Sequence, residues 1–122
     1  MTERILLIDD DPTLASELEQ AFAERGFTID HAADAESAML LVDAFDYAVI
    51  LLDIMLARRD ELDLLHALRD GVTSPPIVIV SAYLPDYVRD ALEEFPAVKL
   101  LVPKPIDPKA LATIVAALVT AR

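Results

Sequence analysis

Short apolar runs alternate with helix-spaced stretches along the whole chain, and this alternation constrains the fold more than any other feature. Residues 5–8, 47–52, 77–80 and 98–102 are brief and rich in Val, Ile and Leu, as strands covered on both faces of a parallel sheet are. Residues 27–31 form a weaker fifth run. Between the runs, apolar residues recur at intervals of three and four. The sets are Leu14, Leu18, Ala21 and Phe22, then Ala38, Leu41, Val42 and Phe45, then Leu62, Leu65 and Leu68, then Leu84, Val88, Ala91 and Leu92, and last Leu111, Ile114, Val115, Leu118 and Val119. Each set makes one face of a helix. Asp11-Pro12 and Asp107-Pro108 pair a capping acid with a proline suited to the first helical position, and Gly26 closes the first helix. Pro75-Pro76 and Pro96 stop helix before the fourth and fifth strands. Five strands alternating with five helices imply parallel crossovers and an α/β three-layer sandwich around a five-stranded sheet. The pattern leaves the strand order open. Ligands in such sheets bind outside the carboxyl ends of the strands, so the residues that follow each run are where chemistry is expected.

A chain of 122 residues supplies one domain, and residues 1–122 are expected to be a single unit with no output domain. Its 55% apolar content is enough for a core. Acids outnumber Lys and Arg 22 to 10, for a net charge of −12, and a field of that sign argues against nucleic acid as a partner. The absence of cysteine excludes disulfides, thiolate metal sites and thiol nucleophiles. Only four apolar residues, 5–8, follow the charged start, too few for a secretory signal. The uncharged tract 110–121 is far short of the ~20 residues that cross a bilayer. A soluble, cytoplasmic protein without a membrane partner is expected.

The first strand runs into Asp9, Asp10 and Asp11, the third into Asp53, the fourth into Ser81 and the fifth into Lys104-Pro105. The second strand alone delivers no polar group to that edge. Carboxylates converging there would repel, since two unit charges 4 Å apart cost about 4 kcal/mol at an effective dielectric near 20. A divalent cation relieves the repulsion, and an all-oxygen ligand set favours Mg²⁺ over Zn²⁺. His31 and His66 have no partner at metal spacing and read as surface or core residues. Beside such an ion a carboxylate can attack phosphorus to form an acyl phosphate, while Lys and a hydroxyl bind the phosphoryl oxygens.

Residues 5–12 (ILLIDDDP), 49–56 (VILLDIML), 78–83 (VIVSAY) and 102–107 (VPKPID) occur in this order, with 43 residues from Asp10 to Asp53, 28 on to Ser81 and 23 on to Lys104. Together they resemble the four signature segments of response-regulator receiver domains, the phosphoacceptor switches of two-component and phosphorelay signalling. The resemblance implies a flavodoxin-like, doubly wound fold with strand order 2-1-3-4-5. It implies Asp53 as the phosphoacceptor, Asp9 and Asp10 as the acidic pair holding Mg²⁺, and a backbone carbonyl of Met55 as a further metal ligand. Ser81 would hydrogen-bond the phosphoryl group, Lys104 would pair with it, and the Lys104-Pro105 bond would be cis. The phosphoryl donor would be a phosphohistidine on a sensor histidine kinase or histidine phosphotransfer protein. Output would go to a downstream protein target through the face of the fourth helix, fifth strand and fifth helix, from a monomer or weak dimer. Such a chain is a switch rather than an enzyme, losing its phosphate only by slow self-dephosphorylation.

Several positions depart from the family pattern. Leu101 stands where an aromatic residue usually lies three before the lysine, and residues 57–61 lack the glycines of the usual loop. Met55 and Tyr83 carry no carboxylate or amide to orient water, which predicts a long-lived phosphoryl group. Two alternatives compete. Asp9, Asp11 and Thr13 also resemble the Asp-x-Asp-x-Thr signature of haloacid-dehalogenase-type phosphohydrolases, a reading that uses Asp9 and Asp11 and leaves Asp53 idle. Asp11 by itself reads as a helix cap. The other alternative, prompted by Leu101, is a receiver-like module that binds proteins without being phosphorylated.

Overall fold

Alternation along each strand divides the core into two halves. The strands are β1 (Glu3–Ile8), β2 (Phe27–Ala32), β3 (Val49–Leu52), β4 (Ile77–Ser81) and β5 (Val98–Pro103). The helices are α1 (Pro12–Ala23), α2 (Ala35–Ala44), α4 (Asp86–Leu92) and α5 (Pro108–Thr120), with α3 helical at residues 64–66 and 68. This computed structural model describes residues 3–53, 64–66, 68, 75–82 and 86–121. The expectations placed on Met55, residues 57–61, Leu62, Tyr83 and Leu84 lie outside the described residues.

All neighbouring strands are parallel and the order is β2-β1-β3-β4-β5. Ile5, Leu7, Val49, Leu51, Val78 and Val80 point to one face, where they meet Leu18 and Phe22 of α1 and Leu111 and Val115 of α5. Leu6, Ile8, Ile50, Leu52, Ile77 and Ile79 point to the other, against Ala38 of α2, Leu65 and Leu68 of α3 and Leu92 of α4. Strands β3 and β4 are buried throughout because both faces are covered. The capping expectations hold. The Asp11 side chain accepts from Thr13 N–H with Pro12 opening α1, and the Asp107 side chain accepts from Ala110 N–H with Pro108 opening α5. Gly26, at φ 80°, makes the turn out of α1 in a region that favours glycine. Among the described residues no helix is long and apolar enough to cross a membrane.

The expectation of coverage on both faces fails at β5. Lys99, Leu100 and Leu101 are all exposed there, because β5 is an edge strand whose register against β4 is interrupted. Val98 pairs with Ile77 and Leu100 with Val78, so Lys99 is an extra residue. Such a bulge disrupts the alternation of inward and outward side chains, and it leaves Leu100 and Leu101 39% and 37% exposed in succession.

Candidate functional site

The strand order reverses between β1 and β3, which opens a crevice at their carboxyl ends. Register decides what lines it. Ile8 pairs with Leu52, so the next residues, Asp9 and Asp53, leave the sheet side by side, with Asp53 N–H donating to the Ile8 carbonyl at 2.9 Å. Ser81 likewise pairs with Pro103, and Lys104 N–H donates to the Ser81 carbonyl at 3.0 Å. The Lys104-Pro105 peptide bond is cis.

The side chains meet at this edge. Lys104 Nζ donates to Asp9 Oδ2 at 2.9 Å and lies 3.4 Å from Asp53 Oδ2. Asp9 Oδ1 accepts from Asp11 N–H at 2.9 Å. Oxygen atoms from Asp9, Asp10 and Asp53 all lie within 4.8 Å of one another. The Asp9 side chain is only 1% exposed, and such a buried carboxylate requires partners. Burial and the Asp9 charge push the Asp53 carboxyl above its ordinary value, and Lys104 offsets this only in part. Burial alone would lower the Lys104 ammonium, but its hydrogen bond to Asp9 and the charges of Asp53 and Asp9 outweigh that and hold it above the ordinary lysine value. The donor set fits a hard divalent cation: among the described residues, three carboxylates against one ammonium leave an excess of negative charge, presented by oxygen alone.

The structure thus brings together Asp9, Asp10, Asp53 and Lys104, with Ser81 buried at the adjacent strand end. Asp11 stands apart as the cap of α1, its Oδ1 accepting from Thr13 N–H at 2.9 Å. That division disfavours the phosphohydrolase alternative, which needs Asp9 and Asp11 to act together. His66 is exposed, with its ring edge-on to Phe95 at 4.9 Å, as a surface reading requires.

One expectation is corrected. The second strand does deliver a polar group, because His31 Nε2 reaches the backbone carbonyl of Asp9 at 2.6 Å. A peptide carbonyl can only accept, so Nε2 carries the proton. The one signal in the sequence was position, since His31 stands next to last in β2.

Residues 5–116 match the response regulator receiver domain family. Transcriptional regulatory protein TcrA of Mycobacterium tuberculosis is 34% identical over 79 residues, 65% of this chain and 31% of that protein. Transcriptional regulatory protein DltR of Streptococcus agalactiae is 29% identical over 79 residues, 65% of this chain and 35% of that protein. The chain therefore spans about a third of the length of these curated relatives. Among solved structures, a CheY-like response regulator receiver domain protein from Methanospirillum hungatei superposes with a TM-score of 0.84 at 22% identity, covering 99% of this chain and 96% of that one. The Francisella response regulator 1452 receiver domain gives 0.83 at 26% identity, covering 98% of each chain. With the family match running through every strand, the chain belongs to the response-regulator receiver domains, phosphoacceptor signalling domains that generally bind Mg²⁺ in an acidic pocket and interact with sensor kinases and downstream effectors.

Proposed function

We propose that Asp53 accepts the phosphoryl group, and the observation that carries this reading is the placement of Asp53 Oδ2 3.4 Å from Lys104 Nζ beside two further carboxylates. A carboxylate oxygen of Asp53 attacks the phosphorus of a phosphohistidine on a partner kinase or phosphotransfer protein. The P–O bond forms as the P–N bond breaks, and the electron pair goes to the imidazole nitrogen, which takes up a proton. Asp9, Asp10 and Asp53, with the Met55 backbone carbonyl, would hold Mg²⁺, which when bound neutralises charge between carboxylate and phosphoryl oxygens. Lys104 supplies the fixed positive charge and Ser81 the hydroxyl donor for the phosphoryl group. A cleft of about 340 Å³ beside Lys104, walled by Leu14, Ala82 and Ile106 and rimmed by Asp11 and Glu17, suits the approach of a donor with an apolar and basic surface.

Acetyl phosphate with Mg²⁺ should add one phosphoryl group to the wild type and none to Asp53→Asn, read by intact mass. Equal labelling of the variant would overturn the assignment. Output is proposed to be protein contact at α4, β5 and α5, where a groove of about 460 Å³ runs past Leu92, Val98 and the exposed Leu100 and Leu101. Beryllofluoride, which mimics the phosphoryl group, should shift NMR signals in α4 and β5. Shifts confined to the surroundings of Asp53 would reject that face.

A further inference from the structure

We infer that His31 is a positioning residue for phosphoryl acceptance, holding the peptide between Asp9 and Asp10 so that the acidic pair is set for the cation. The inference rests on the reading in which these two residues hold Mg²⁺. Asp9 is gripped from several sides. Its N–H donates to the Ala32 carbonyl at 3.0 Å, and its carbonyl accepts from His31 Nε2 at 2.6 Å. Its two carboxylate oxygens accept from Asp11 N–H and Lys104 Nζ, each at 2.9 Å. Both backbone anchors therefore come from the last two residues of β2.

The carbonyl of Asp9 and the nitrogen and Cα of Asp10 lie in one planar peptide unit. Pinning the oxygen fixes that plane, and with it the point from which the Asp10 side chain starts. Loss of the imidazole removes that restraint on the plane, so that Asp9 keeps only its N–H and carboxylate anchors and the starting point of the Asp10 side chain is less tightly fixed. Groups that orient metal ligands without touching the metal act in this way, and removing them typically costs 10- to 100-fold in metal affinity. The position also suits substitution. His31 lies exposed on an edge strand, so a replacement there opens no core cavity.

Mg²⁺ is titrated into the unphosphorylated full chain by calorimetry, with the melting temperature in EDTA as a check on folding. His31→Leu, which has no donor, should weaken Mg²⁺ binding roughly tenfold while melting close to the wild type. His31→Gln places an amide N–H near the position of Nε2 and should restore most of the affinity. In acetyl phosphate labelling, His31→Leu should need more Mg²⁺ for half-maximal rate yet approach the wild-type rate at saturation. Should the leucine variant fail to fold, His31→Thr, a strand former too short to reach the carbonyl, replaces it. Unchanged Mg²⁺ affinity in the variant lacking the donor, or a glutamine variant as weak as leucine, would overturn the inference alone. A wild type that takes up no Mg²⁺ would overturn the metal reading, and this inference with it.

Discussion

Two polar clusters, one built around Arg4 near the start of β1 and one around Asp9 just past its end, differ in charge balance. Near the amino ends of β1 and β3, Asp30 accepts from Arg4 Nη1 at 2.8 Å and from the Tyr47 hydroxyl at 2.7 Å. The Arg4 guanidinium also lies 4.2 Å over the Phe45 ring, which meets the Tyr47 ring edge-on. One carboxylate, one cation and one hydroxyl form a closed set. At the carboxyl ends, the described residues set three carboxylates, Asp9, Asp10 and Asp53, beside the ammonium of Lys104. Among the described residues the charges of the first cluster cancel, whereas the second has negative charge to spare and gains by taking up a cation. A polar cluster in a fold is thus informative when its charges do not cancel.

Removing the cation from each cluster is the most forceful way to break this comparison. Lys104→Met leaves the buried Asp9 carboxylate without its counter-ion, and in EDTA it should destabilise the chain by roughly 2 to 3 kcal/mol, a buried-pair loss reduced for the partial exposure of Lys104. Mg²⁺ at 100 times its Kd should return ~2.7 kcal/mol. Arg4→Met, in a more exposed pair, should cost about 1 kcal/mol or less and show no special response to Mg²⁺. Equal losses in chemical denaturation, or a Lys104→Met protein indifferent to Mg²⁺, would erase the distinction.

The clusters should also diverge with pH, by a smaller amount. The Asp53 carboxyl is raised in the fold, so its contribution to stability is full below the ordinary unfolded value of 3.8 and is lost as pH rises through the folded value. Asp53→Asn removes that loss. In EDTA at neutral pH it should melt a few degrees above the wild type and respond less to Mg²⁺. The Tyr47 hydroxyl is raised by burial and by its hydrogen bond to Asp30. Its contribution is full below the ordinary value of 10.0 and is lost as pH rises above that. Tyr47→Phe should therefore soften alkaline unfolding, while at neutral pH it costs about 1 kcal/mol for the lost hydrogen bond and leaves phosphoryl uptake unchanged. Melting curves from acid to alkaline pH read both effects. A Tyr47→Phe protein with altered phosphoryl uptake would show that the two ends are coupled.

Much of the site was legible because its residues lie within two positions of the end of an apolar run: Asp9 and Asp10 after residues 5–8, Asp53 after 47–52, Ser81 after 77–80 and Lys104 after 98–102. A strand buried on both faces has few sequence substitutes, and polar residues at its carboxyl end stand out. The exposure of Leu100 beside Leu101 was not legible, since one extra residue in an edge strand leaves the composition of the run unchanged. His31 was hidden for another reason. Its partner is a backbone carbonyl 22 residues earlier, and a carbonyl carries no sequence signature. The cluster of Arg4, Asp30 and Tyr47 was hidden as well, because its members become neighbours only through strand pairing.

The sequence by itself determined the alternation of strand and helix, the capped starts of α1 and α5, and the identity of the polar residues at the strand ends, because periodicity and capping are local and act within a few residues. Tertiary structure alone decided that Lys104 lies nearer Asp9 than Asp53 and that His31 closes on the Asp9 carbonyl. Those choices depend on distances between separate strands, which are set by register and helix packing and leave no periodic trace in the chain.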